Sequence, residues 1–468
     1  MMLSSLAPHI DGVLRGEDCD FNTLSTDTRT IESGALFVAL RGENFDGHAY
    51  LDTAQRKGAV AAVVDTLNPN CSLPQLEVND TTRALGKIAA YNRTHFSHPL
   101  VAITGSCGKT SVKGMLQSIC ELAGTALATR GNFNNHIGVP LTLMQLNADQ
   151  QYAIIEAGTS GRGEIDYLAK LIQPDVALVN NIMPAHIAGF GSVDAIAEEK
   201  SALYRGDKLT TGVVNLDDSY AKKFIDLLAN KHVIGFSRHA LEGNIPVGVD
   251  RVVIARNAHC DKNGCWTFVV AETDLTVTTE ETAITLQVPG EHSIANALAA
   301  AALARALNID WATINLGLNK FGGVSGRMQP VSSSFCARLI DDSYNANPGS
   351  MRAAIDFLAR YEHSLLIAGD MGELGDSAEA EHAELGRYAR HAGVKTVLAV
   401  GALSEHTAAG FGHGATWFAT REQLLIYLNH QTTQQQEAFK KMTILIKGSR
   451  SAHMELVVNE LARQGSAE

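Results

Sequence analysis

A glycine-rich turn is the feature that most constrains what this chain can fold into. Residues 104–110 read Thr-Gly-Ser-Cys-Gly-Lys-Thr, after an apolar run at 100–103 and before a helical pattern at 111–122. Such a strand–turn–helix unit points backbone N–H groups and the positive end of a helix at a polyphosphate. We therefore predict an ATP site whose loop residues are Gly105, Ser106, Cys107, Gly108, Lys109, Thr110 and Ser111.

The loop departs from the common G-x-x-x-x-G-K-[ST] pattern, because Gly105 stands three residues before Gly108 instead of five. This shorter spacing narrows the prediction to a subset of ATP users. Lys109 supplies a mobile cation for the phosphates, and the Thr110 hydroxyl is placed to ligate Mg²⁺. The alternative is a structural turn with an incidental lysine, and the flanking strand and helix argue against it.

Length, charge and cysteine content restrict the class of protein. A chain of 468 residues is too long for one core and predicts about three domains. The formal net charge of −12 argues against nucleic-acid binding, which needs a basic surface. Seven scattered cysteines favour free thiols in a reducing cytoplasm. No apolar run approaches the ~20 residues that span a membrane. We expect a cytoplasmic monomer with small-molecule partners, neither bound to nucleic acid nor inserted in a membrane.

Alternating apolar runs and helical patterns predict an α/β protein of three domains. Residues 1–98 predict a small N-terminal α/β domain. Residues 99–326 predict a central ATPase domain with a mostly parallel sheet of the P-loop type and an antiparallel appendage at 244–288. Residues 327–468 predict a Rossmann-like domain, but no G-x-G-x-x-G follows a strand there, which argues against dinucleotide binding.

Two polar residues follow neighbouring predicted strands of the central domain. Glu156 ends one strand, and His186 lies just past the next. Because the carboxyl ends of parallel strands share one edge, Glu156 is placed to ligate Mg²⁺ near Thr110, and His186 to serve a second metal. A surface or core histidine is the alternative. Lys200 lies on a predicted helix, and composition alone predicts a solvated lysine.

Three residues near the end of the central domain are candidates for nucleotide contact. His292 and Asn296 stand four residues apart and share one face of a predicted helix. An asparagine amide can pair with the edge of adenine, and imidazole can pack on the base. A capped helix start is the alternative. Arg327 lies at a domain junction, where a guanidinium could reach phosphate when domains close.

A polar turn follows the first strand predicted in the C-terminal domain. Pro348 suits the first position of a helix, and Asn347 suits its cap. This structural role leaves Asp342, Tyr344 and Asn345 unexplained, which favours contact with a ligand.

Four motifs carry a resemblance to the Mur ligase family of peptidoglycan synthesis. They are GNFNNHIGVP at 131–140, DDSYNANP at 341–348, GDMGELG at 369–375 and KGSR at 447–450. A further motif, STDTR at 25–29, extends the resemblance over nearly the whole chain. Within the family, the chain resembles the ligases that add D-alanyl-D-alanine. The phosphate loop alone would also fit folylpolyglutamate synthetases.

The resemblance implies an N-terminal domain for the UDP-sugar, a central ATPase and a C-terminal domain for the incoming amine. Its substrates would be UDP-N-acetylmuramoyl-tripeptide and D-alanyl-D-alanine, and the third residue of the tripeptide, lysine or diaminopimelate, stays open. The implied uridine-nucleotide contacts are Thr26, Asp27, Thr28, Arg29, Arg41, Gly42, Asp46, Gly47 and His48.

The resemblance also implies roles around ATP, with Lys109, His186, Lys200 and Arg327 as the catalytic group. His186 and Lys200 match positions that serve a second Mg²⁺, where the lysine is often carbamylated and so becomes an anion. Thr110 and Glu156 would hold the first Mg²⁺. The remaining implied contacts are Asn134 and Asn135 with the muramoyl peptide and phosphates, His292 and Asn296 with adenine, Arg327 and Asp342 with ATP phosphate or ribose, and Tyr344, Asn345 and Asn347 with the dipeptide.

The implied reaction is ATP-driven amide formation through an acyl phosphate. Alternatives within the same chemistry are another Mur-type ligase, which adds glutamate or a diamino acid, and a folylpolyglutamate-type ligase. A phosphotransferase that stops at a phosphorylated product would need no amine. A nucleotide-switched binding module would turn over no ATP.

Overall fold

The computed structural model describes residues 1–184, 187–239, 245–274, 278–334, 336–434 and 436–464. Three large β-sheets organise them, one in each of the three segments expected from the sequence. The α/β class with a mostly parallel central sheet is thereby confirmed, whereas the domain boundaries at 98/99 and 326/327 stay predictions. In the described ranges no helix is long and apolar enough to cross a lipid bilayer.

The N-terminal sheet has the strand order β1-β7-β6-β3-β2, with only the β1–β7 pair antiparallel. A separate two-stranded hairpin, β4–β5, lies beside it. The strands are β1 (Val13–Arg15), β2 (Thr23–Ser25), β3 (Ala35–Val38), β4 (Arg41–Gly42), β5 (Phe45–Asp46), β6 (Ala59–Val64) and β7 (Gln75–Glu77). The α-helices are α1 (Leu3–Leu6), α2 (Leu51–Arg56) and α3 (Thr81–Thr94).

The central sheet has the order β16-β15-β14-β13-β12-β11-β8-β10-β9. Its strands are β8 (Leu100–Thr104), β9 (Ala126–Ala128), β10 (Tyr152–Glu156), β11 (Val176–Val179), β12 (Thr211–Asn215), β13 (His232–Ser237), β14 (Arg251–Cys260), β15 (Cys265–Asp274) and β16 (Thr278–Pro289). Its helices are α4 (Lys109–Ala123), α5 (Gly138–Leu143), α6 (Glu164–Ile172), α7 (Ile187–Phe190), α8 (Val193–Ser201), α9 (Ala221–Leu227), α10 (His292–Ala306) and α11 (Trp311–Lys320).

Strand β8 is buried along its whole length, as expected for a parallel strand covered by helices on both faces. Helices α4, α10 and α11 pack together on one face of the sheet, and α10 is almost entirely buried. Strands β14 to β16 are antiparallel, as predicted, but β14 pairs with β13, so they extend the central sheet instead of forming a separate appendage.

The C-terminal sheet has the order β17-β18-β22-β19-β20-β21, parallel apart from the β17–β18 pair. Its strands are β17 (Gln329–Val331), β18 (Arg338–Asp342), β19 (Ser364–Gly369), β20 (Thr396–Val400), β21 (Ala415–Phe418) and β22 (Thr443–Lys447). Its helices are α12 (Pro348–Leu358), α13 (Ala378–Ala392), α14 (Ser404–Phe411), α15 (Arg421–Gln434), α16 (Gln436–Phe439) and α17 (Glu455–Gln464).

The end of helix α3 fastens the N-terminal segment to the central sheet through Arg93, whose residue is 2% exposed. Its guanidinium donates to the carbonyls of Phe96 (2.8 Å), Ile172 (3.0 Å) and Gln173 (2.9 Å) and pairs with Asp175 at 3.0 Å. Four of the five N–H donors of this buried guanidinium thus have partners. The junction is therefore a fixed joint with its own polar core.

Candidate functional site

Gly108 turns the predicted phosphate loop, residues 105–111, into helix α4. Its φ of +79° lies in the left-handed region. A Cβ at this position would lie 2.4 Å from Asn296 Oδ1 and 2.6 Å from Asn180 Nδ2. Both the backbone conformation and the available space therefore require glycine. The close turn directs the N-terminus of α4 toward the cavity.

Two asparagines that follow β11 hold the loop backbone in place. The Cys107 N–H donates to Asn181 Oδ1 at 2.8 Å, and the Cys107 carbonyl accepts from Asn180 Nδ2 at 2.9 Å and Asn181 Nδ2 at 3.1 Å. Sequence reasoning did not assign a role to either asparagine. Their position at the carboxyl end of the neighbouring parallel strand is the signal that could have found them.

The first turn of α4 leaves backbone N–H groups for a ligand. The N–H of Val112 bonds to the Gly108 carbonyl at 2.9 Å, whereas residues 109–111 precede the first intrahelical bond. Lys109 Nζ donates to the Gly105 carbonyl at 2.8 Å. Burial lowers the pKa of the Lys109 ammonium because its charged form loses hydration. Unbonded N–H groups, a helix N-terminus and a lysine together form an anion site.

Glu156 lies at the carboxyl end of β10 with 1% of the residue exposed. Its Oε1 accepts from Asn134 Nδ2 at 2.8 Å, and its Oε2 lies 3.6 Å from Lys113 Nζ. Among the residues that the structure describes, nothing forms a hydrogen bond to Oε2. A buried carboxylate with one open oxygen is a suitable ligand for a hard cation.

Lys113 is a site residue that sequence reasoning missed. Its buried ammonium donates to the Thr129 carbonyl at 2.6 Å and faces Glu156. Burial lowers the pKa of Lys113, while the nearby Glu156 carboxylate opposes that shift. Lys113 stands four residues after Lys109, so the pair shares one face of α4. That spacing is the signal from which it could have been predicted.

Lys200 is not the solvated lysine that composition predicted. The residue is 2% exposed at the buried end of helix α8. Burial lowers the pKa of its amine to about 7, and the positive charge of Lys109 adds to the effect. The expectation was wrong because tertiary packing covers this helix end, which the local sequence does not reveal.

His186, predicted to serve a second metal, lies outside the described residues. Within the described ranges no group of three or more His, Cys, Asp or Glu side chains is arranged to hold a metal ion. Of the predicted metal ligands with oxygen donors, the structure describes Glu156 and the Thr110 hydroxyl, and Mg²⁺ commonly binds to proteins through so few groups.

Arg327 faces the phosphate loop from the domain junction. Its guanidinium carbon lies 4.4 Å from the centroid of the Tyr344 ring, a cation–π arrangement. Its buried Nε has no hydrogen-bond partner in the described part of the chain. The charge of Arg327 also disfavours the charged form of Lys109, so these cations face the same space. An anion between them would relieve that repulsion.

Asp342 is held in a buried ion pair with Lys447, Oδ2 to Nζ, at 2.7 Å. Its Oδ1 accepts from the Met328 backbone N–H at 3.0 Å, and Lys447 Nζ donates to the Asn345 carbonyl at 2.9 Å. Asp342 thus braces the turn that carries Asn345. Lys447 belongs to a quoted motif but was not predicted as a site residue, although it ends β22 beside β18.

His292 and Asn296, the two residues predicted to contact adenine, have different surroundings. His292 begins α10, and burial lowers the pKa of its imidazole. Asn296 Oδ1 accepts from Asn180 Nδ2 at 3.2 Å and lies beneath Gly108. Asn296 therefore supports the phosphate loop from below, while contact of either residue with adenine stays a prediction.

The turn before α12 has the cap that the sequence predicted. Asn347 Oδ1 accepts from the Ser350 N–H at 2.8 Å, Ser350 Oγ bonds the Asn347 backbone at 3.1 Å, and Pro348 is the first helical residue. Asn135 is also a cap, because its Oδ1 accepts from the N–H groups of residues 137 and 138. Asn135 and Asn347 cap helices and also line the main cavity.

One cavity of about 860 Å³ lies between the central and C-terminal domains. The predicted residues that line it are Ser106, Cys107, Gly108, Lys109, Ser111, Asn134, Asn135, Glu156, His292, Asn296, Arg327, Asp342, Tyr344, Asn345 and Asn347. Lining residues that were not predicted include Asn181, Asn215, Asp217, Asp218, Arg238, Lys447 and Arg450. Gly105, Thr110 and Lys200 do not line this cavity.

The predicted uridine contacts are in the N-terminal domain, away from the cavity wall. Asp27 accepts from the side chain and the backbone N–H of Arg29, with 2.6 Å the shortest contact. Arg41 pairs with Asp46 and, at 2.8 Å, with Asp65. The remaining predicted residues in this group are Thr26, Thr28, Gly42, Gly47 and His48, the last bonded to Asp46 at 2.7 Å. The structure thus brings these residues into two local clusters.

Three family models match the chain in order: Mur ligase family, catalytic domain, over residues 20–93; Mur ligase middle domain over 103–304; and Mur ligase, glutamate ligase domain, over 326–450. A UDP-N-acetylmuramoyl-tripeptide–D-alanyl-D-alanine ligase from Escherichia coli (strain K12) is 39% identical over 99% of both chains.

Two solved structures from Acinetobacter baumannii each cover 98% of this chain and 98% of their own. A crystal structure of MurF has a TM-score of 0.87 at 33% identity. A UDP-N-acetylmuramoylalanyl-D-glutamyl-2,6-diaminopimelate–D-alanyl-D-alanyl ligase has a TM-score of 0.83 at 32% identity. Identity above 30% over essentially full length, with a shared fold, is decisive. This chain belongs to the Mur ligase family.

Proposed function

We propose that this chain joins D-alanyl-D-alanine to UDP-N-acetylmuramoyl-tripeptide, with ATP converted to ADP and phosphate, in peptidoglycan precursor synthesis. The relatives described above carry the same activity in their names over the full chain length. The observation that carries the proposal is one cavity lined by the phosphate loop, by Glu156 and by the turn at residues 344–347. ATP-consuming synthesis of this kind belongs in the cytoplasm.

The reaction requires an activated carboxyl group, because a carboxylate resists attack by an amine. A carboxylate oxygen of the tripeptide attacks the γ-phosphorus of ATP, and the bond from phosphorus to the ADP oxygen breaks. The dipeptide amine then attacks the carbonyl carbon of the acyl phosphate and loses a proton. The tetrahedral intermediate expels phosphate and leaves the amide.

The first step brings a carboxylate close to a triphosphate, so positive charge at the meeting point is the main requirement. Lys109 and the N–H groups of residues 109–111 would hold the phosphates on one side. Arg327 faces them from the C-terminal domain and would stabilise charge on the transferring group.

The residues present fit Mg²⁺. Glu156 has a buried oxygen without a hydrogen-bond partner among the described residues, and Thr110 follows the loop lysine. We infer that these two residues hold the ion together with ATP oxygens and water, a ligand set that Mg²⁺ favours. Bound there, Mg²⁺ would neutralise phosphate charge during transfer.

We propose a second Mg²⁺ at His186 and Lys200, the two positions that the sequence resemblance implies. Because Lys200 is buried and its pKa is lowered to about 7, much of its amine is uncharged at neutral pH. An uncharged amine is the form that reacts with carbon dioxide, so carbamylation of Lys200 is chemically reasonable. A carbamate signal from isotopically labelled bicarbonate that is lost in Lys200→Met would support it.

The outer domains would present the two other substrates. We propose residues 1–98 for the UDP-sugar, with Arg41, Asp46 and His48 among its contacts, residues 99–326 for ATP, and residues 327–468 for the dipeptide. Tyr344, Asn345 and Asn347 line the cavity from the C-terminal domain, which supports their assignment to the dipeptide. Enclosure between domains would keep water from hydrolysing the acyl phosphate.

Phosphate release by the purified protein tests this proposal. We expect release with ATP, UDP-N-acetylmuramoyl-tripeptide and D-alanyl-D-alanine together, and little release when the dipeptide is omitted. Glutamate, diaminopimelate and folate substrates form the comparison panel, and turnover with one of these alone would identify a different ligase. Release without any amine would indicate a phosphotransferase, and no release in any combination would indicate a binding module.

A further inference from the structure

A second, smaller cavity of about 250 Å³ opens beside the main one. The residues that line it are His136, Gly158, Arg162, Gly163, Glu164, Tyr167 and Leu168. Gly158 and Glu164 line both cavities, so the two adjoin each other. We refer to the smaller one as the side pocket. Neither the phosphate chemistry nor the dipeptide site uses it.

The side pocket lies between the phosphate loop and the N-terminal domain. Gly158 is two residues past Glu156, and its neighbour Asn134 holds that carboxylate. On the other side, the Tyr167 hydroxyl lies so close to Gly86 of α3 that a Cβ there would be 2.2 Å from it. The side pocket therefore lies where the central domain meets helix α3 of the N-terminal domain.

A positive charge distinguishes the side pocket from the adjoining wall of the main cavity. That wall carries the neutral polar residues Asn132, Asn134, Asn135, Thr159 and Ser160 and the carboxylates Glu156 and Glu164. Within the described ranges, Arg162 is the only arginine or lysine that lines the side pocket. The arginines and lysines that line the main cavity are Lys109, Arg238, Arg327, Lys447 and Arg450, which lie in the phosphate loop, after β13 and in the C-terminal domain.

One hydrogen bond holds the guanidinium of Arg162 in place and leaves other N–H donors for a ligand. One terminal nitrogen donates to the Phe190 carbonyl at 3.1 Å, which fixes one edge of the guanidinium. A guanidinium has five N–H donors, so others remain for a ligand. The neighbouring Glu164 does not neutralise it through a direct ion pair; its Oε2 instead accepts from the Ser160 N–H at 2.8 Å. Such an oriented arginine suits a carboxylate.

We propose that Arg162 binds a carboxylate of the acceptor peptide other than the one that is ligated. This inference rests on the proposed function. A glutamyl residue in the peptide keeps one carboxylate outside the chain, and a diaminopimelyl third residue brings another. Either would lie within a few bonds of the reacting carboxylate, and would repel the triphosphate unless a cation held it aside.

Titration calorimetry of UDP-N-acetylmuramoyl-tripeptide, in its diaminopimelate form, onto the full-length protein tests the inference. We expect Arg162→Met to raise the Kd at least about tenfold, as loss of a charge-assisted contact requires. The Kd of Arg162→Lys should lie between those of Arg162→Met and the unaltered protein. Lys170→Met removes a positive charge from helix α6, which begins two residues after Arg162, and Lys170 does not line the pocket, so its Kd should stay within about twofold of that of the unaltered protein.

Modified acceptors distinguish the two carboxylates. If the lysine form of the tripeptide is insensitive to Arg162→Met, the contact is with diaminopimelate. If an acceptor with an amidated glutamyl carboxylate is insensitive, the contact is with the glutamyl residue. Unchanged affinity for every acceptor would overturn the inference, and so would an equal loss for an acceptor that lacks both spare carboxylates.

The proposed ligase function and the proposed role of Arg162 are tested by different measurements. Dipeptide-dependent phosphate release by the unaltered protein tests the reaction, whatever Arg162 does. Lys170→Met, which lines neither cavity, should release phosphate at nearly the rate of the unaltered protein, with the KM for ATP unchanged. An unfolding temperature of Arg162→Met close to that of the unaltered protein would show that the variant is folded, as expected for an exposed side chain.

Discussion

The thiol of Cys107 in the phosphate loop lies 3.6 Å from Oδ1 and 3.5 Å from Nδ2 of Asn347, the residue that caps helix α12 in the C-terminal domain. The Cys107 backbone is fixed by two asparagines of the central domain, and Asn347 is fixed by its own cap. The contact therefore joins two rigid parts. It brings the place where ATP would bind next to the turn assigned to the dipeptide.

Cys107 should be the thiol whose modification stops ligation. We expect Cys107→Ser to keep activity within a few-fold, because a hydroxyl can replace a weak thiol contact. N-ethylmaleimide should inactivate the unaltered protein, since the adduct would separate Asn347 from the loop, and ATP should slow the loss. Inactivation rates with and without ATP provide the measurement. A Cys107→Ser protein inactivated at the same rate would show that another cysteine is responsible.

Lys109→Ala should abolish ligation while binding of UDP-N-acetylmuramoyl-tripeptide stays largely intact. The ammonium faces the phosphate loop, so its loss removes charge stabilisation worth more than about 100-fold in kcat. Steady-state phosphate release and calorimetric binding of the UDP-substrate measure the two effects. Equal loss of both would contradict this division between the central and N-terminal domains.

Arg327→Lys should lower kcat by about 100-fold, even though the charge is kept. Lysine has no planar fork to stack on Tyr344 and present paired N–H groups to phosphate. Single-turnover measurements of ADP formation follow this step. Arg352→Lys on α12 is a matched control, because Arg352 also stacks on a tyrosine, Tyr388, but does not line the cavity. Near-normal ADP formation by Arg327→Lys would remove Arg327 from the transfer step.

Arg93→Met should destabilise the protein by about 3 kcal/mol or more, because three carbonyls and Asp175 lose their partner in a buried joint. Calorimetric unfolding of the variant measures the loss. At temperatures where both proteins are folded, the KM for ATP should be unchanged, since Arg93 is remote from the loop. An unaltered unfolding temperature would show that water replaces these bonds without cost.

His382 should make stability fall on the acid side of neutrality. This fully buried imidazole accepts from the Met371 N–H at 2.9 Å and bonds the Ala378 carbonyl at 2.7 Å. Burial lowers its pKa below the ordinary value of 6.5. The unfolded chain therefore binds a proton before the folded one does as the pH falls through 6.5, so this contribution is present above that pH and is lost below it.

His382→Gln isolates this effect. The variant should be less stable near neutral pH by about 1–3 kcal/mol, because a buried hydrogen bond is lost. Between about pH 7.5 and 5.5 the difference in stability should narrow, since the variant lacks the titrating group. Urea-unfolding midpoints across this range measure the difference. A gap that stays constant would mean that His382 is protonated equally in both states.

Much of the architecture was predictable because parallel strands are continuous apolar runs. Strands β8, β10 and β20 were located from such runs, and helix α4 from its position after the glycine turn. Strand β9 has only three residues at the edge of its sheet, and β13 contains histidine, glycine and serine. Such strands are stabilised by pairing with neighbours, which the local sequence does not show.

The site was predictable where a motif carried its chemistry and not where packing created it. The phosphate loop and the Asn347 cap follow from local sequence. The burial of Lys200 depends on which helix end the tertiary structure covers. The spacing from Lys109 places Lys113 on the same face of α4, but its contact with Glu156 depends on how α4 packs on the sheet. Single-sequence patterns do not report that coverage, so composition alone predicted a solvated Lys200.

Transfer of a labelled oxygen tests the central claim most directly, because it follows the carboxylate through the reaction. UDP-N-acetylmuramoyl-tripeptide with heavy oxygen in its terminal carboxylate is incubated with ATP, D-alanyl-D-alanine and the protein, and the phosphate is analysed by mass spectrometry. Passage through an acyl phosphate predicts one heavy oxygen in each phosphate released. Phosphate without label, or label recovered in AMP, would contradict the account.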